Sequence, residues 1–128
     1  MAHRVGVIGL GTVGSRFVDQ FNSHGAFELV AAWDIDPEAC TAHKNKVRIA
    51  LDADAVIAES DLIYVAVPPL HHAQYVLDAL KAGTAVFCEK PLGQNENEIS
   101  ECFDLAKQNN LKLFIAYQKR YDDNYRTL

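Results

Sequence analysis

The run Val-Gly-Val-Ile-Gly-Leu-Gly-Thr-Val-Gly at positions 5–14 limits the fold more than any other stretch of the chain. It predicts a short apolar strand that enters a helix through a G-x-G-x-x-G turn. Gly9 allows the tight turn, Gly11 lets a diphosphate approach the backbone, and Gly14 lets the helix pack against the strand. The helix directs its unpaired N–H groups toward that anion, although such turns also arise for purely steric reasons. The predicted phosphate site consists of Gly9, Gly11, Thr12, Val13 and Gly14.

A carboxylate at the expected distance from this turn indicates the kind of nucleotide. Asp34 follows Gly14 by twenty positions and closes the apolar run 27–33, where a second strand is expected to end. A carboxylate there accepts hydrogen bonds from an adenosine ribose, and its charge repels a 2′-phosphate. The sequence therefore predicts NAD rather than NADP. Asp36 is a poorer candidate, because Pro37 predicts a turn into the next helix.

Length and charge exclude several classes of function. The 128 residues suit a single domain, here 1–128, with a substantial core. A formal net charge of −5 argues against a nucleic-acid or anionic-membrane surface. We find no apolar stretch near the roughly 20 residues that span a bilayer and no signal-peptide core. Three cysteines without metal-ligand spacing predict reduced thiols in a cytoplasmic protein, and no metal site is expected.

Hydrophobic periodicity predicts alternating strands and helices. The continuous apolar run 62–67 is typical of a parallel strand that is covered on both faces. Asn95 and Glu98 resemble a capping pair for a helix whose buried side we expect to carry Ile99, Cys102, Phe103 and Ala106. The pattern predicts an α/β fold, a doubly wound parallel Rossmann sheet ordered 3-2-1-4-5-6 with helices on both faces. The six predicted strands are 4–9, 28–33, 47–50, 62–67, 84–88 and 111–116.

This strand order predicts where a ligand binds. The crevice lies beyond the carboxyl ends of strands one and four, where the order of the strands reverses. Val67, Pro68 and Pro69 are expected to shape the wall beside a nicotinamide ribose. His72 also falls there, in the first turn of a helix, where packing or capping is a better interpretation than catalysis. The segments expected at the crevice are 9–14, 67–72, 89–91 and 117–120.

Three spaced motifs resemble one enzyme family. The run Ala-Val-Phe-Cys-Glu-Lys-Pro-Leu-Gly at 85–93 resembles the Glu-Lys-Pro signature of the Gfo/Idh/MocA oxidoreductases. Pro-Pro-Leu-His-His-Ala at 68–73 resembles the family's proline loop, and Arg120-Tyr121 resembles the segment that leads to its second domain. The resemblance covers the N-terminal NAD(P)-binding Rossmann domain alone, so we expect the C-terminal substrate domain to be absent.

The resemblance implies a catalytic role for Lys90. Its ammonium would hydrogen-bond the reacting hydroxyl or carbonyl of a sugar-like or polyol-like compound while hydride moves to or from the nicotinamide. From the residues alone, a lysine at the carboxyl end of a strand suits proton transfer, but it could also be a surface lysine that pairs with Glu89. Glu89 is expected to hold the loop rather than to act in catalysis, and the predicted cofactor-binding residues include His72, Glu89 and Lys90. The resemblance also implies a cis Lys90–Pro91 peptide. Arg120 either contacts the substrate or pairs with neighbouring aspartates.

The last residues of the chain carry a further pattern. If 118–128 is helical, its apolar stripe either packs on the domain's own sheet or docks a second domain or subunit. Two functions remain open: an NAD-dependent oxidoreductase acting on CH–OH groups, incomplete for turnover alone, or a non-catalytic NAD-binding sensor or regulatory module. Another Rossmann enzyme, resembling homoserine dehydrogenase, is disfavoured by the Glu-Lys-Pro run. The stripe consists of Tyr117, Tyr121, Tyr125 and Leu128.

Overall fold

Strands and helices alternate along the chain. The computed structural model describes residues 3–116, so Arg120 and the predicted stripe Tyr117, Tyr121, Tyr125 and Leu128 lie outside the described residues. The strands are β1 His3–Ile8, β2 Phe27–Trp33, β3 Leu62–Val65, β4 Ala85–Glu89 and β5 Leu113–Ala116. The helices are α1 Thr12–Ser23, α2 Pro37–His43, α3 Ala53–Glu59, α4 His72–Lys81 and α5 Glu96–Gln108, with a 3₁₀ turn at Pro69–His71 before α4.

The sheet confirms the predicted fold class and differs from the predicted strand order at one place. Its five strands run parallel in the order β2-β1-β3-β4-β5. The predicted third strand, 47–50, is wrong: it forms only an isolated parallel bridge, between Ala32 and Ile49. The segment is too short to extend the ladder, because Asp52 caps α3 immediately after it. The remaining strands keep the predicted arrangement.

Helices cover both faces of the sheet, as predicted. On one face α3, α4 and α5 bury a large cluster that includes Ile63, Val76 and Leu80. On the other face α1 and α2 pack on a smaller cluster, in which the rings of Phe17 and Tyr64 lie 4.1 Å apart. The parallel strands are therefore buried from above and below, which explains the continuous apolar run of β3.

Capping side chains set where α5 begins. The Asn95 side chain accepts a hydrogen bond from the Glu98 amide at 2.9 Å, and the Glu98 carboxylate accepts one from the Gln94 amide at 2.6 Å. The predicted capping pair is confirmed. Cys102 is buried as expected, but Phe103 is 46% exposed. The prediction that Phe103 faces inward was wrong. Consecutive residues of a helix point about 100° apart, and Phe103 directly follows the buried Cys102.

Candidate functional site

A cleft of about 600 Å³ lies at the carboxyl ends of the strands. Its size falls within the range of small-molecule sites. All predicted site residues within 3–116 line it except Gly9 and Gly14, which lie behind its wall. The structure therefore brings the predicted phosphate, ribose and lysine segments together at one place. The lining residues are Gly11, Thr12, Val13, Asp34, Ile35, Ala66, Val67, Pro68, Pro69, His71, His72, Gln74, Tyr75, Glu89 and Lys90.

The three glycines of the turn have different surroundings. Gly9 has a φ of +108°, which side-chain-bearing residues rarely adopt. A Cβ on Gly14 would overlap the carbonyl oxygen of Gly9, so this glycine is needed for α1 to pack against β1. A Cβ on Gly11 would meet no heavy atom within 4 Å. Gly9 and Gly14 thus shape the turn, whereas Gly11 leaves open space where a ligand can approach the backbone.

The N-terminus of α1 faces this space without a capping side chain among the described residues. Gly11 is the N-cap residue, and within the described residues no side chain caps the helix there. The first turn contains no acidic residue either. The N–H groups of an uncapped first turn attract anions, and the helix dipole adds to that attraction. Thr12 and Val13, which begin the helix, lie at this end of the cleft.

The Asp34 side chain is hydrogen-bonded to the backbone of the glycine turn. Its Oδ2 accepts a hydrogen bond from the Leu10 amide at 2.6 Å, and its Oδ1 accepts one from the Asp36 amide at 2.8 Å. Because a carboxylate offers about four acceptor positions, both oxygens can still bind a further donor. Asp36 instead caps α2, where its side chain accepts a hydrogen bond from the Glu38 amide at 3.0 Å. Asp34 therefore lines the cleft, whereas Asp36 starts a helix.

A polar network that we did not predict supports the turn from behind. The Ser15 hydroxyl lies 3.1 Å from the Leu10 carbonyl oxygen and 2.8 Å from Nε2 of His43. His43 is only 9% exposed, and its Nδ1 donates to the Ala39 carbonyl at 2.8 Å. The Leu10 peptide is thus held through its N–H by Asp34 and through its carbonyl by Ser15. No sequence pattern signals this network, since it joins two helices through single side chains.

The opposite end of the cleft contains a buried histidine. His72 is 2% exposed, and its ring lies between two backbone carbonyls. Nε2 is 2.7 Å from the Val67 oxygen, and Nδ1 is 2.5 Å from the Pro91 oxygen. The ring therefore joins the loop after β3 to the loop after β4. The Lys90–Pro91 peptide in the second loop is cis, which confirms that prediction.

Glu89 is the last residue of β4 and Lys90 follows it, and their side chains lie in contrasting environments. Glu89 is 9% exposed, and burial raises the pKa of its carboxyl, while the neighbouring Tyr64 hydroxyl and the charge of His72 lower that pKa. The Tyr64 hydroxyl is fully buried and has no hydrogen-bond partner of good geometry among residues 3–116. Lys90 is exposed and lines the cleft. A partly desolvated acid therefore lies directly beside a solvent-accessible ammonium group.

The cleft is also lined by residues that the sequence analysis did not identify. Ile35 is 79% exposed beside Asp34 and offers an apolar surface. Tyr75 lies one helical turn after His72, and its pKa is raised by burial and then by the negative charges of Asp34 and Asp78. The Tyr75 hydroxyl therefore keeps its proton and can act as a donor. Helical spacing from His72 was the signal that could have identified Tyr75. Ala66 and Gln74 complete this set, whereas His71 lies within the predicted segment 67–72.

Two classes of site are not found in the described part of the chain. Residues 3–116 hold no group of three or more His, Cys, Asp or Glu side chains arranged to bind a metal ion. In the same residues we find no helix with the length and apolar character needed to cross a bilayer.

The chain matches a known family over nearly its whole length. The family model described as "Oxidoreductase family, NAD-binding Rossmann fold" matches residues 3–117. An uncharacterized oxidoreductase of Schizosaccharomyces pombe is 36% identical over 108 residues, which cover 79% of this chain and 29% of that protein. An inositol 2-dehydrogenase of Saccharopolyspora erythraea is 33% identical, with 100% of this chain and 40% of the relative covered.

Solved structures agree with these sequence matches. The apo scyllo-inositol dehydrogenase from Lactobacillus casei superposes with a TM-score of 0.85 at 28% identity, covering 98% of this chain and 39% of that one. The myo-inositol 2-dehydrogenase from Lactobacillus plantarum gives 0.84 at 31% identity, covering 99% and 40%. This chain therefore spans between 29% and 40% of the length of the relatives named here.

Proposed function

The chain belongs to the Gfo/Idh/MocA oxidoreductase family, and on that premise we propose that it is the cofactor-binding domain of an NAD-dependent enzyme. The reaction would transfer hydride between the nicotinamide and a CH–OH group of a sugar-like or polyol-like compound. Relatives named as inositol dehydrogenases support this substrate class. Because those relatives are more than twice as long, this chain would supply only the cofactor half of the site.

The residues of the cleft fit a nicotinamide dinucleotide. The open space at Gly11 and the uncapped start of α1 suit the diphosphate. The free acceptor positions of Asp34 suit the adenosine ribose, and its charge disfavours a 2′-phosphate. We therefore propose NAD as the preferred cofactor. When bound, the dinucleotide supplies the acceptor or donor of the hydride.

Lys90 is our candidate for the catalytic residue. It lines the same cleft as Gly11 but lies at the other end, at the end of β4. In the direction of reduction its ammonium would give a proton to the carbonyl oxygen, and in the direction of oxidation its neutral amine would take up the hydroxyl proton as hydride leaves the carbon for the nicotinamide. Val67, Pro68 and Pro69 would form the wall between the two ends. Arg120 remains a proposed substrate contact, and the stripe of Tyr117, Tyr121, Tyr125 and Leu128 remains a proposed docking surface for a second domain or subunit.

One observation supports the proposal most strongly: an open glycine turn and a lysine line a single cleft at the edge where the strand order reverses. That is the placement expected of a dinucleotide whose central diphosphate lies at the glycine turn and whose nicotinamide extends toward the lysine. The three free cysteines also agree with our proposed cytoplasmic location, a reducing compartment.

Calorimetry with NAD(H) and NADP(H) tests the cofactor. We expect the unaltered protein to bind NAD(H) at least 10-fold more tightly than NADP(H), a difference of about 1.4 kcal/mol. Asp34→Ala should reduce that preference, whereas Asp36→Ala is the matched control and should leave it intact. Equal affinity of the unaltered protein for both dinucleotides would overturn the choice of NAD, and no binding of either would overturn the proposed function.

A Lys90 variant distinguishes the enzyme hypothesis from the hypothesis of a binding module. In a complex completed with a C-terminal half from a relative, Lys90→Ala should leave the dissociation constant for NAD unchanged. The same variant should reduce hydride transfer from an inositol to NAD by about 10²- to 10⁴-fold. If the unaltered, completed complex binds NAD yet turns over no member of a polyol panel, a sensor or regulatory module becomes the better description.

A further inference from the structure

Both nitrogen atoms of the His72 ring lie against oxygen atoms that can only accept hydrogen bonds. Nε2 is 2.7 Å from the Val67 carbonyl and Nδ1 is 2.5 Å from the Pro91 carbonyl. A neutral imidazole carries one N–H, so it would place a lone pair against one of these oxygens. In a ring that is 2% exposed, water cannot relieve that repulsion. The two contacts are satisfied together only when both nitrogens carry protons.

From this geometry we infer that His72 is a buried imidazolium that positions Lys90 by tying the loop after β3 to the loop after β4. Pro91 follows Lys90 directly, so holding the Pro91 carbonyl fixes the peptide that carries the lysine. Val67 lies in the loop after β3 and lines the same cleft. The ring would therefore set the distance between the lysine backbone and that loop. The bridge itself follows from the contacts, whereas its consequence for Lys90 rests on the proposed function.

The other buried histidine shows why the argument is specific to His72. Nδ1 of His43 also contacts a carbonyl oxygen, that of Ala39, at 2.8 Å. Its Nε2, however, contacts the Ser15 hydroxyl at 2.8 Å, and a hydroxyl both donates and accepts. A neutral His43 can therefore satisfy both of its contacts when the Ser15 hydroxyl turns toward it. His72 has no partner of that kind in the two contacts it makes.

The surroundings of the ring provide a counter-charge. Glu89 lies close enough that the charge of His72 lowers the pKa of its carboxyl. Lys90, the exposed His71, Tyr75 and Asp34 are further titratable groups that line the same cleft. The helices and strands packed against α4 contribute Cys88 and Cys102 to the shared core, and burial raises the pKa values of these thiols to about 12 and about 11. Because these thiols stay neutral, Glu89 is the anion that can compensate the imidazolium.

Long-range ¹H–¹⁵N spectra of histidine-labelled protein test the protonation state directly. We expect both ring nitrogens of His72 to give the signals of protonated nitrogen at neutral pH. The exposed His71 is an internal reference for a ring in exchange with solvent. A spectrum in which one His72 nitrogen is unprotonated would overturn the inference. This measurement uses the unaltered protein, so it decides the question even if a His72 variant fails to fold.

Two matched variants test the positioning role. His72→Phe keeps a ring but removes both donors, and His71→Phe makes the same change at the exposed neighbour. We expect His72→Phe alone to shift the amide signals of Lys90 and Leu92, and His71→Phe to leave them in place. If both variants or neither shift those signals, the bridge does not position the loop.

The kinetic consequence is measured in the completed complex. His72→Phe should lower kcat by up to about 100-fold through misplacement of Lys90, while the dissociation constant for NAD changes by less than about 3-fold. An equal loss in both quantities would indicate a general structural role and overturn the positioning claim. If the unaltered protein binds no dinucleotide, the proposed function fails, whereas the ¹⁵N result still decides the protonation of His72.

Discussion

The two ends of the cleft are built from different chemical groups. At the phosphate end, residues 9–14, the ligand faces main-chain amides whose positions are set by glycine geometry and by the hydrogen bonds to Leu10. At the lysine end, residues 89–91 with His72, it faces a lysine beside a buried acid and a buried imidazole. The positions of main-chain amides do not depend on pH, whereas the charge of an acidic or basic side chain does. The comparison therefore predicts a binding end that is insensitive to pH and a reactive end that responds to it.

The largest effect is expected from Gly14→Ala at the phosphate end. Its Cβ would overlap the Gly9 carbonyl oxygen, so α1 must move away from β1. We expect a loss of stability of about 3 kcal/mol or more, and with it the loss of dinucleotide binding. Thermal unfolding followed by circular dichroism measures the stability.

Gly11→Ala is the matched control for that variant. Because no heavy atom lies within 4 Å of the added methyl, the fold should keep its melting temperature. Affinity for NAD should nevertheless fall about 10-fold or more, since the methyl occupies the space proposed for the diphosphate. If Gly11→Ala binds NAD as tightly as the unaltered protein, the phosphate end has been assigned to the wrong residues.

An intermediate effect is expected from the network behind the turn. Ser15→Ala removes the hydrogen bond to the Leu10 carbonyl and the contact with His43. A lost hydrogen bond of this kind costs about 1 kcal/mol, so we expect NAD to bind about 5-fold more weakly. Ser23→Ala removes a serine hydroxyl at the other end of the same helix and should leave binding unchanged. Equal effects of the two variants on calorimetric affinity would show that the network does not support the turn.

The smallest effect is expected from Glu89→Gln, and it depends on pH. Burial raises the pKa of the Glu89 carboxyl above its ordinary value of 4.5, so the native state retains a proton that the unfolded state releases. Stability should therefore fall as pH rises from 4.5 through the native pKa. The glutamine variant lacks this ionisation. Its melting temperature should exceed that of the unaltered protein at neutral pH, and the two melting temperatures should nearly agree below pH 4.5.

Calorimetric melting temperatures between about pH 4 and pH 8 measure that difference. Glu28→Gln, at an exposed position on β2, is the control and should show a small difference that does not change with pH. If the gap between Glu89→Gln and the unaltered protein stays constant across the range, the pH response does not arise at Glu89.

Most of the fold could be predicted because each signal acts locally. The bounds of α2 follow from Asp36 and Pro37, and the start of α5 follows from Asn95 and Glu98. The predicted third strand failed because 47–50 is cut short by the Asp52 cap of α3 and forms one bridge with Ala32 instead of a ladder. The position of Phe103 failed for a similar reason, since hydrophobicity does not reveal which side of a helix faces a neighbour.

The site was predictable to the extent that its residues belong to spaced motifs. Gly11, Asp34 and Lys90 could be named from the sequence and line one cleft. His43 and Ser15 could not be found, because their contact joins two helices and follows no spacing rule. For His72 the sequence predicted a position near the crevice, but not the two carbonyls that surround its ring. Such contacts depend on how loops meet, which only coordinates show.

The hydrogen bond from the Leu10 amide to Asp34 links two traits that evolution would otherwise change separately. A descendant that exchanged this carboxylate in order to accept a phosphorylated ribose would also leave the Leu10 amide without its acceptor. A substitution that supplies a new acceptor would then have to come first or arrive together with the exchange. We expect coenzyme preference in this lineage to evolve by paired replacements, with single-step intermediates that bind either coenzyme poorly.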